Sequence, residues 1–402
     1  MVKGLARGSE TLFVGNHPTG AAAVETPFIN NRGADRALTA GQRRQVAGWL
    51  LVCCAFVMAI IVVGGATRLT RSGLSIVEWQ PITGTLPPIG EQAWQEVFQK
   101  YQLTPEFRLV NHAMTLDEFK GIFWWEYFHR LLGRMIGLLF ALPFVWFLWR
   151  RAIERRLVLP LFGILMLGAA QGALGWYMVK SGLVDDPRVS HLRLTAHLGV
   201  AVLIFGSLLW VALEVISGGP RARTTSSSVS MGLRRTAGVL TALVFTMILS
   251  GAMVAGLRAG YAYNTFPLMH GSFIPPDLGL LSPWYQNLID NPTTVQFVHR
   301  SIAWILIGLL PLFAISVLRY GTRVAVQVRL AAWFLLIAFA VQVTLGIITL
   351  VLSVPIPWAI AHQGTARYRD GSDHRNLARI AQSSSEKMND APLIRNTLTP
   401  RL

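Results

Sequence analysis

Apolar residues in this chain come in long unbroken runs, with little of the alternation that marks strands or half-buried helices. The runs lie near 46–66, 122–149, 157–178, 194–216, 237–256, 295–317 and 328–352. Each has about 20 residues or more, the length a helix rising 1.5 Å per residue needs to cross about 30 Å of hydrocarbon. The pattern predicts an all-α polytopic membrane protein with seven full spans. An eighth run opens at Pro355-Ile-Pro-Trp-Ala-Ile-Ala-His362 and is lost by Arg367-Tyr-Arg-Asp370, so the eighth helix is read as truncated. Polar tails flank the runs, 1–45 before them and 365–402 after. The first lacks the apolar core of a secretory signal and reads as a disordered tail.

Basic residues fall between the runs on alternate sides. Arg43 and Arg44, then Arg150, Arg151, Arg155 and Arg156, then Arg221, Arg223, Arg234 and Arg235, then Arg319, Arg323 and Arg329 share one side. Positive charge favours the cytoplasmic face, which places the N-terminus there. The outer side receives two long loops, about 67–120 and 257–293, each with a Pro-rich stretch, Thr85-Leu-Pro-Pro88 and Phe273-Ile-Pro-Pro276.

Composition agrees. The chain of 402 residues is 52% hydrophobic and 14% charged, a balance for a bilayer and not for water. Its net charge of +16 is distributed as a topology signal, so no nucleic-acid partner is read from it. The two cysteines, Cys53 and Cys54, are adjacent in the first run and read as small buried hydrophobes.

The two long loops invite a search for a repeat. Glu126-x-x-His129-Arg130 aligns with Gln296-x-x-His299-Arg300 at an offset of 170, and Gln171-x-x-Leu174-Gly175 with Gln342-x-x-Leu345-Gly346 at 171. Ala196-His197-x-Gly199 aligns with Ala361-His362-x-Gly364 at 165. The end of the first span, Gly64 to Arg68, resembles the end of the fifth, Gly251 to Arg258. Two tandem four-helix halves, 46–216 and 237–364, account for this. Four spans per half make the repeat parallel, with an axis along the membrane normal.

The repeat selects four of the nine histidines: His129, His197, His299 and His362. Each lies near the outer end of an even-numbered span, two to a half. Two imidazoles per pocket suit the axial positions of haem iron, whereas zinc or copper wants three or four close ligands. The bland alternative is a hydrogen-bonded core histidine. Arg68, Arg71, Arg130, Arg258 and Arg300 could meet haem propionates or pair with carboxylates of the outer loops. His17, His112, His191, His270 and His374 read as surface or supporting residues. Glu126 is the asymmetry, because its counterpart Gln296 cannot ionise. It is read as a partner for Arg130 or Arg134, or as a base or charge stabiliser beside His129 in the first pocket alone.

The residues from Gly64-Gly-Ala-Thr-Arg68 to Glu78-Trp79, with Glu126 to Arg134 and Tyr263-Asn-Thr-Phe-Pro-Leu-Met269, resemble the haem A synthase family over about 45–364. The loop 67–120 has no cysteine, as in the branch without a loop cysteine pair. The resemblance implies an eight-helix inner-membrane oxidoreductase. It would oxidise the C8 methyl of haem O to the formyl of haem A by successive hydroxylations, for cytochrome oxidase biogenesis. It further implies that His299 and His362 ligate a resident haem b, and that His129 and His197 hold the substrate haem O, with Glu126 and His129 catalytic. The resemblance implies a haem O synthase and an electron-transfer protein as partners; the apolar runs imply the lipid bilayer, and a homo-oligomer is left open. A bacterial inner membrane is expected ahead of the mitochondrial one. Members carry an apolar helix after the histidine matched by His362; here the chain turns polar. A non-catalytic di-haem b electron carrier, or an inactive truncated member, is the alternative.

Overall fold

Capping chemistry decides where the helices begin. The computed structural model describes residues 38–80, 82–183, 189–218, 230–321 and 324–364. The tail 365–402 and residues 1–37 of the N-terminal tail lie outside them. The first helix, α1 (Ala40–Leu69), starts inside the stretch read as tail, because Thr39 and Gln42 form a reciprocal capping box. After it come α2 (Glu91–Gln102), α3 (Pro105–Leu109), α4 (Leu116–Trp149), α5 (Arg155–Gly182) and α6 (His191–Ile216). The chain continues with α7 (Met231–Gly256), α8 (Asn287–Asp290), α9 (Pro292–Arg319), α10 (Val326–Val351) and α11 (Ile356–Gly364). Among the described residues no strand forms beyond one isolated bridge, Met269 to Ser272.

Seven of these helices are long and apolar enough to cross a membrane: α1, α4, α5, α6, α7, α9 and α10. The protein is an integral membrane protein, as its apolar runs predict. Helix α4 has 34 residues and starts six before its apolar run. A second capping box, Thr115 with Glu118, supports that start, and Asp117 and Glu118 face the positive end of the helix dipole. The additional turns carry a cap in which Tyr101 of α2 packs on Phe119, and Phe119 on Phe123.

Helices α1, α4, α5 and α6 close into a four-helix group, each packed on two of the others. Its core runs through Trp49, Leu50 and Val57 of α1, Phe140 and Phe144 of α4, Leu161 of α5 and Leu208 of α6. One contact there follows from a missing donor. Pro143 lies inside α4 and has no N–H, so the Leu139 carbonyl loses its helical partner. The indole Nε1 of Trp49 donates to that oxygen at 2.9 Å and joins α1 to α4. Cys53 and Cys54 are free and buried, as expected of small apolar residues.

The other helices pack in series, α7 on α9, α9 on α10 and α10 on α11. Between the groups, α1 packs on α11 and α6 on α7, so the first helix of each meets the last helix of the other. The nine residues of α11 cover little of their neighbour, and α10 is the least buried of the seven spanning helices.

Candidate functional site

The four histidines lie at the end of the helices where the long loops emerge, and each ring rests on a glycine. A methyl group built on Gly64 of α1 would lie 2.8 Å from Cε1 of His129, and one on Gly175 of α5 would lie 3.1 Å from Cε1 of His197. Gly251 of α7 faces His299 at 3.1 Å and Gly346 of α10 faces His362 at 2.8 Å. A side chain at any of the four would push the imidazole away. These glycines stand in the stretches of sequence that align between the two groups, and their role as seats for the rings depends on packing that spacing alone does not reveal.

The rings come together in two pairs, since His129 interacts electrostatically with His197 and His299 with His362. Supporting contacts recur as well. Gln171 Nε2 donates to the His197 carbonyl at 2.9 Å, and Gln342 Nε2 to the His362 carbonyl at 2.8 Å. The Nδ1 atoms differ between the pairs. That of His299 lies 2.8 Å from Ser250 Oγ, and that of His362 lies 3.2 Å from Gln342 Nε2. Those of His129 and His197 are buried with no partner. Because Ser250 Oγ donates to the Met247 carbonyl at 2.9 Å, it accepts from His299. The ring proton then sits on Nδ1, and Nε2 keeps its lone pair for a metal.

Glu126 is 2% exposed and fully engaged. One oxygen, Oε1, accepts from Arg130 Nε at 3.0 Å and Nη2 at 2.6 Å. The other, Oε2, accepts from Ser75 Oγ at 2.7 Å and the Ile76 amide at 2.8 Å. In the second group Gln296 Nε2 donates to the Tyr263 carbonyl at 2.9 Å. Ile76 and Tyr263 each follow a left-handed arginine by five residues, Arg71 and Arg258, both with φ of 54°. Glu126 and Gln296 therefore tie the same turn of their two loops to the even helix.

The arginines beside them continue the strap. Arg130 donates to the Ile76 and Glu78 carbonyls, Arg134 to that of Gln80, and Arg300 to those of Thr265, Pro267 and Leu268. These bonds satisfy loop carbonyls that lie against an apolar helix. Arg130 and Arg300 were candidates for haem propionates; Arg130 directs Nε, Nη1 and Nη2 at Glu126 and the loop carbonyls, whereas Arg300 binds its loop through Nη2 and its buried Nη1 has no hydrogen-bond partner. Arg68, near Arg258 and Tyr261, is placed at the junction of the two groups. Of the other histidines, His191 approaches Asp290 at 3.3 Å, His112 is exposed, and His270 packs on Tyr263.

Two open cavities lie away from the four rings. One of about 310 Å³ is lined by Pro267, Phe297, Arg300 and Trp304, another of about 260 Å³ by Gln80, Tyr127, Arg130 and Arg134. Both lie beside the strapped loops, while the rings are closed onto their glycines. Among the described residues no three of His, Cys, Asp or Glu converge as a bare-metal site requires. Paired imidazoles in apolar helix groups are a donor set that fits haem iron.

Comparison with known proteins agrees with this chemistry. A family model for cytochrome oxidase assembly protein (COX15-CtaA) matches residues 47–368. Similar relatives are each named haem A synthase. That of Nitrosospira multiformis is 56% identical over 81% of this chain and 90% of its own length. That of Nitrosomonas eutropha is 55% identical over 80% and 89%, and that of Parvibaculum lavamentivorans 46% over 86% and 96%. With paired histidines seated on glycines in a spanning-helix fold, and matches of this extent, the chain belongs to the COX15-CtaA family of cytochrome oxidase assembly proteins.

Proposed function

We propose that this protein is a haem A synthase, an oxidoreductase that converts the C8 methyl of haem O to the formyl of haem A. The carrying observation is the pair of histidines seated on glycines in each helix group, in a chain whose relatives bear that name. The two groups are read as tandem halves of a parallel repeat, supported by the recurring glycine–histidine contacts and by the two loop straps.

His299 and His362 would hold a resident haem b, and His129 and His197 the substrate haem O. The Nδ1 atoms support this division. A ligand imidazole fixed by a hydrogen bond at its other nitrogen is oriented for permanent binding. His299 has such an acceptor in the Ser250 hydroxyl, the Gln342 amide nitrogen beside His362 Nδ1 is a donor, and His129 and His197 have no partner there, which suits a haem that must enter and leave. Held by these residues, haem b would supply a one-electron couple. Glu126 acts as a charge stabiliser at the edge of the first pocket, and its four donors leave it little capacity as a base.

Orientation and setting follow the charge rule: arginine-rich ends in the cytoplasm, long loops outside, in a bacterial inner membrane. A haem O synthase would supply the substrate, and an electron-transfer partner would accept the electrons. The likeness of the two groups also suits a di-haem b carrier. Pyridine haemochrome spectra of purified protein separate the readings. Haem b with haem O or haem A supports the synthase, and two equivalents of haem b alone support the carrier.

A further inference from the structure

The cap over α4 contains a second buried carboxyl besides Glu126. Glu106, on α3, is 5% exposed, and its Oε2 has no hydrogen-bond partner. The two carboxyls interact electrostatically across the cap. Their surroundings are opposite. Glu126 accepts from Ser75, Ile76 and twice from Arg130, so each of its oxygens has two donors.

The groups facing Glu106 are few. From α4 it meets the Glu126 charge, from the turn after α1 the Arg71 cation, and from α2 the Tyr101 hydroxyl. That hydroxyl also accepts from Asn111 Nδ2 at 2.7 Å. Two like charges in one dry cap are costly, and only Glu106 has an oxygen without a donor, so the proton belongs on Glu106.

We propose that Glu106, the buried carboxyl with an unpartnered oxygen, is the proton-holding group of the loop-end cap and exchanges its proton with the water outside the long loops. The exchange is Glu106–COOH to Glu106–COO⁻ plus a proton released to water, with no electron transfer. Burial and the Glu126 charge raise its pKa to about 7, which places the exchange in the working range. Asn111, which donates to Tyr101, is half-buried, and the next residue, His112, is exposed. Oxidising a methyl to a formyl strips hydrogen from carbon, and a proton leaving an apolar helix group needs such a stage. Its part in the reaction rests on the haem-oxidation reading; its titration does not. Glu106 is thus a positioning residue for charge, not a catalytic one.

Infrared pH-difference spectra of the full chain in lipid discs provide the test, with the haem A pH profile as second readout. The wild type should show a protonated-carboxyl band that titrates near pH 7, and Glu106→Gln should lack it. Tyr101→Phe removes a hydrogen bond that favours the charged form, so it should keep the band and move its midpoint upward. Haem A formation should lose its inflection in Glu106→Gln at unchanged haem content. The same band in Glu106→Gln, or an unmoved midpoint in Tyr101→Phe, overturns the proposal. If the wild type makes no haem A, the oxidation reading fails, and the infrared titration still decides Glu106.

Discussion

Replacing Gly346 or Gly64 by alanine tests the seating of the histidines. In either variant the new methyl would lie 2.8 Å from a ring carbon, where ordinary contacts begin near 3.4 Å. The imidazole must therefore retreat by about 0.6 Å, beyond the roughly 0.5 Å within which a site must hold its ligands. Overpacking of this kind costs about 1–3 kcal/mol. Gly175→Ala and Gly251→Ala, at 3.1 Å, ask about half that movement and should be milder. Gly168→Ala on α5 is the control, since nothing lies within 4 Å of its methyl and alanine favours helix by about 1 kcal/mol. Haem per protein is read by pyridine haemochrome, and helix content by circular dichroism. Gly346→Ala should lose most of the resident haem at normal helix content. Gly64→Ala should keep the resident haem and make no haem A. Full haem with an unchanged spectrum in Gly346→Ala, or equal loss in Gly168→Ala, would refute the seating argument.

Ser250→Ala removes the acceptor for His299 Nδ1 and should weaken resident haem about 10–100-fold, measured by haem retention during competition with a haem scavenger. Trp49→Phe leaves the Leu139 carbonyl with only the weak Cys53 Sγ contact at 4.0 Å and should cost about 1–3 kcal/mol in a denaturant titration. Adding Pro143→Ala, which restores the N–H, should recover most of that loss. Glu106 also makes stability depend on pH. Its folded pKa, about 7, is raised above its ordinary 4.5, so the stability it contributes is complete below about pH 4.5 and is lost as pH rises through 7. The loss is about 3 kcal/mol. The fall in Tm between about pH 5 and pH 8 should be smaller in Glu106→Gln than in the wild type.

The spanning helices and the four histidines were legible in the sequence because each rests on a local or repeated signal: an apolar run of sufficient length, or a polar residue recurring inside one. The start of α4 at the capping box Thr115-x-x-Glu118 was not read from the apolar run, which begins only at 122. Gly64, Gly175, Gly251 and Gly346 stood in the repeat, yet a glycine leaves no trace of what lies against it. The loop straps were hidden for a related reason. An arginine donates to any oxygen, so Arg130 read equally well as a propionate ligand or as a tether for the carbonyls of Ile76 and Glu78. Glu106 had no repeat counterpart and no periodic context. Only the packing of α2 on α4, with α3 on α2, brings it near Glu126.

The most direct measurement is haem extraction and chromatography from membranes of cells that make haem O, with and without this chain. Haem A should appear only when the chain is present and should vanish in the His129→Ala and His197→Ala variants while resident haem b remains. Haem O and haem B alone in cells with abundant, folded, haem-loaded protein would contradict the account.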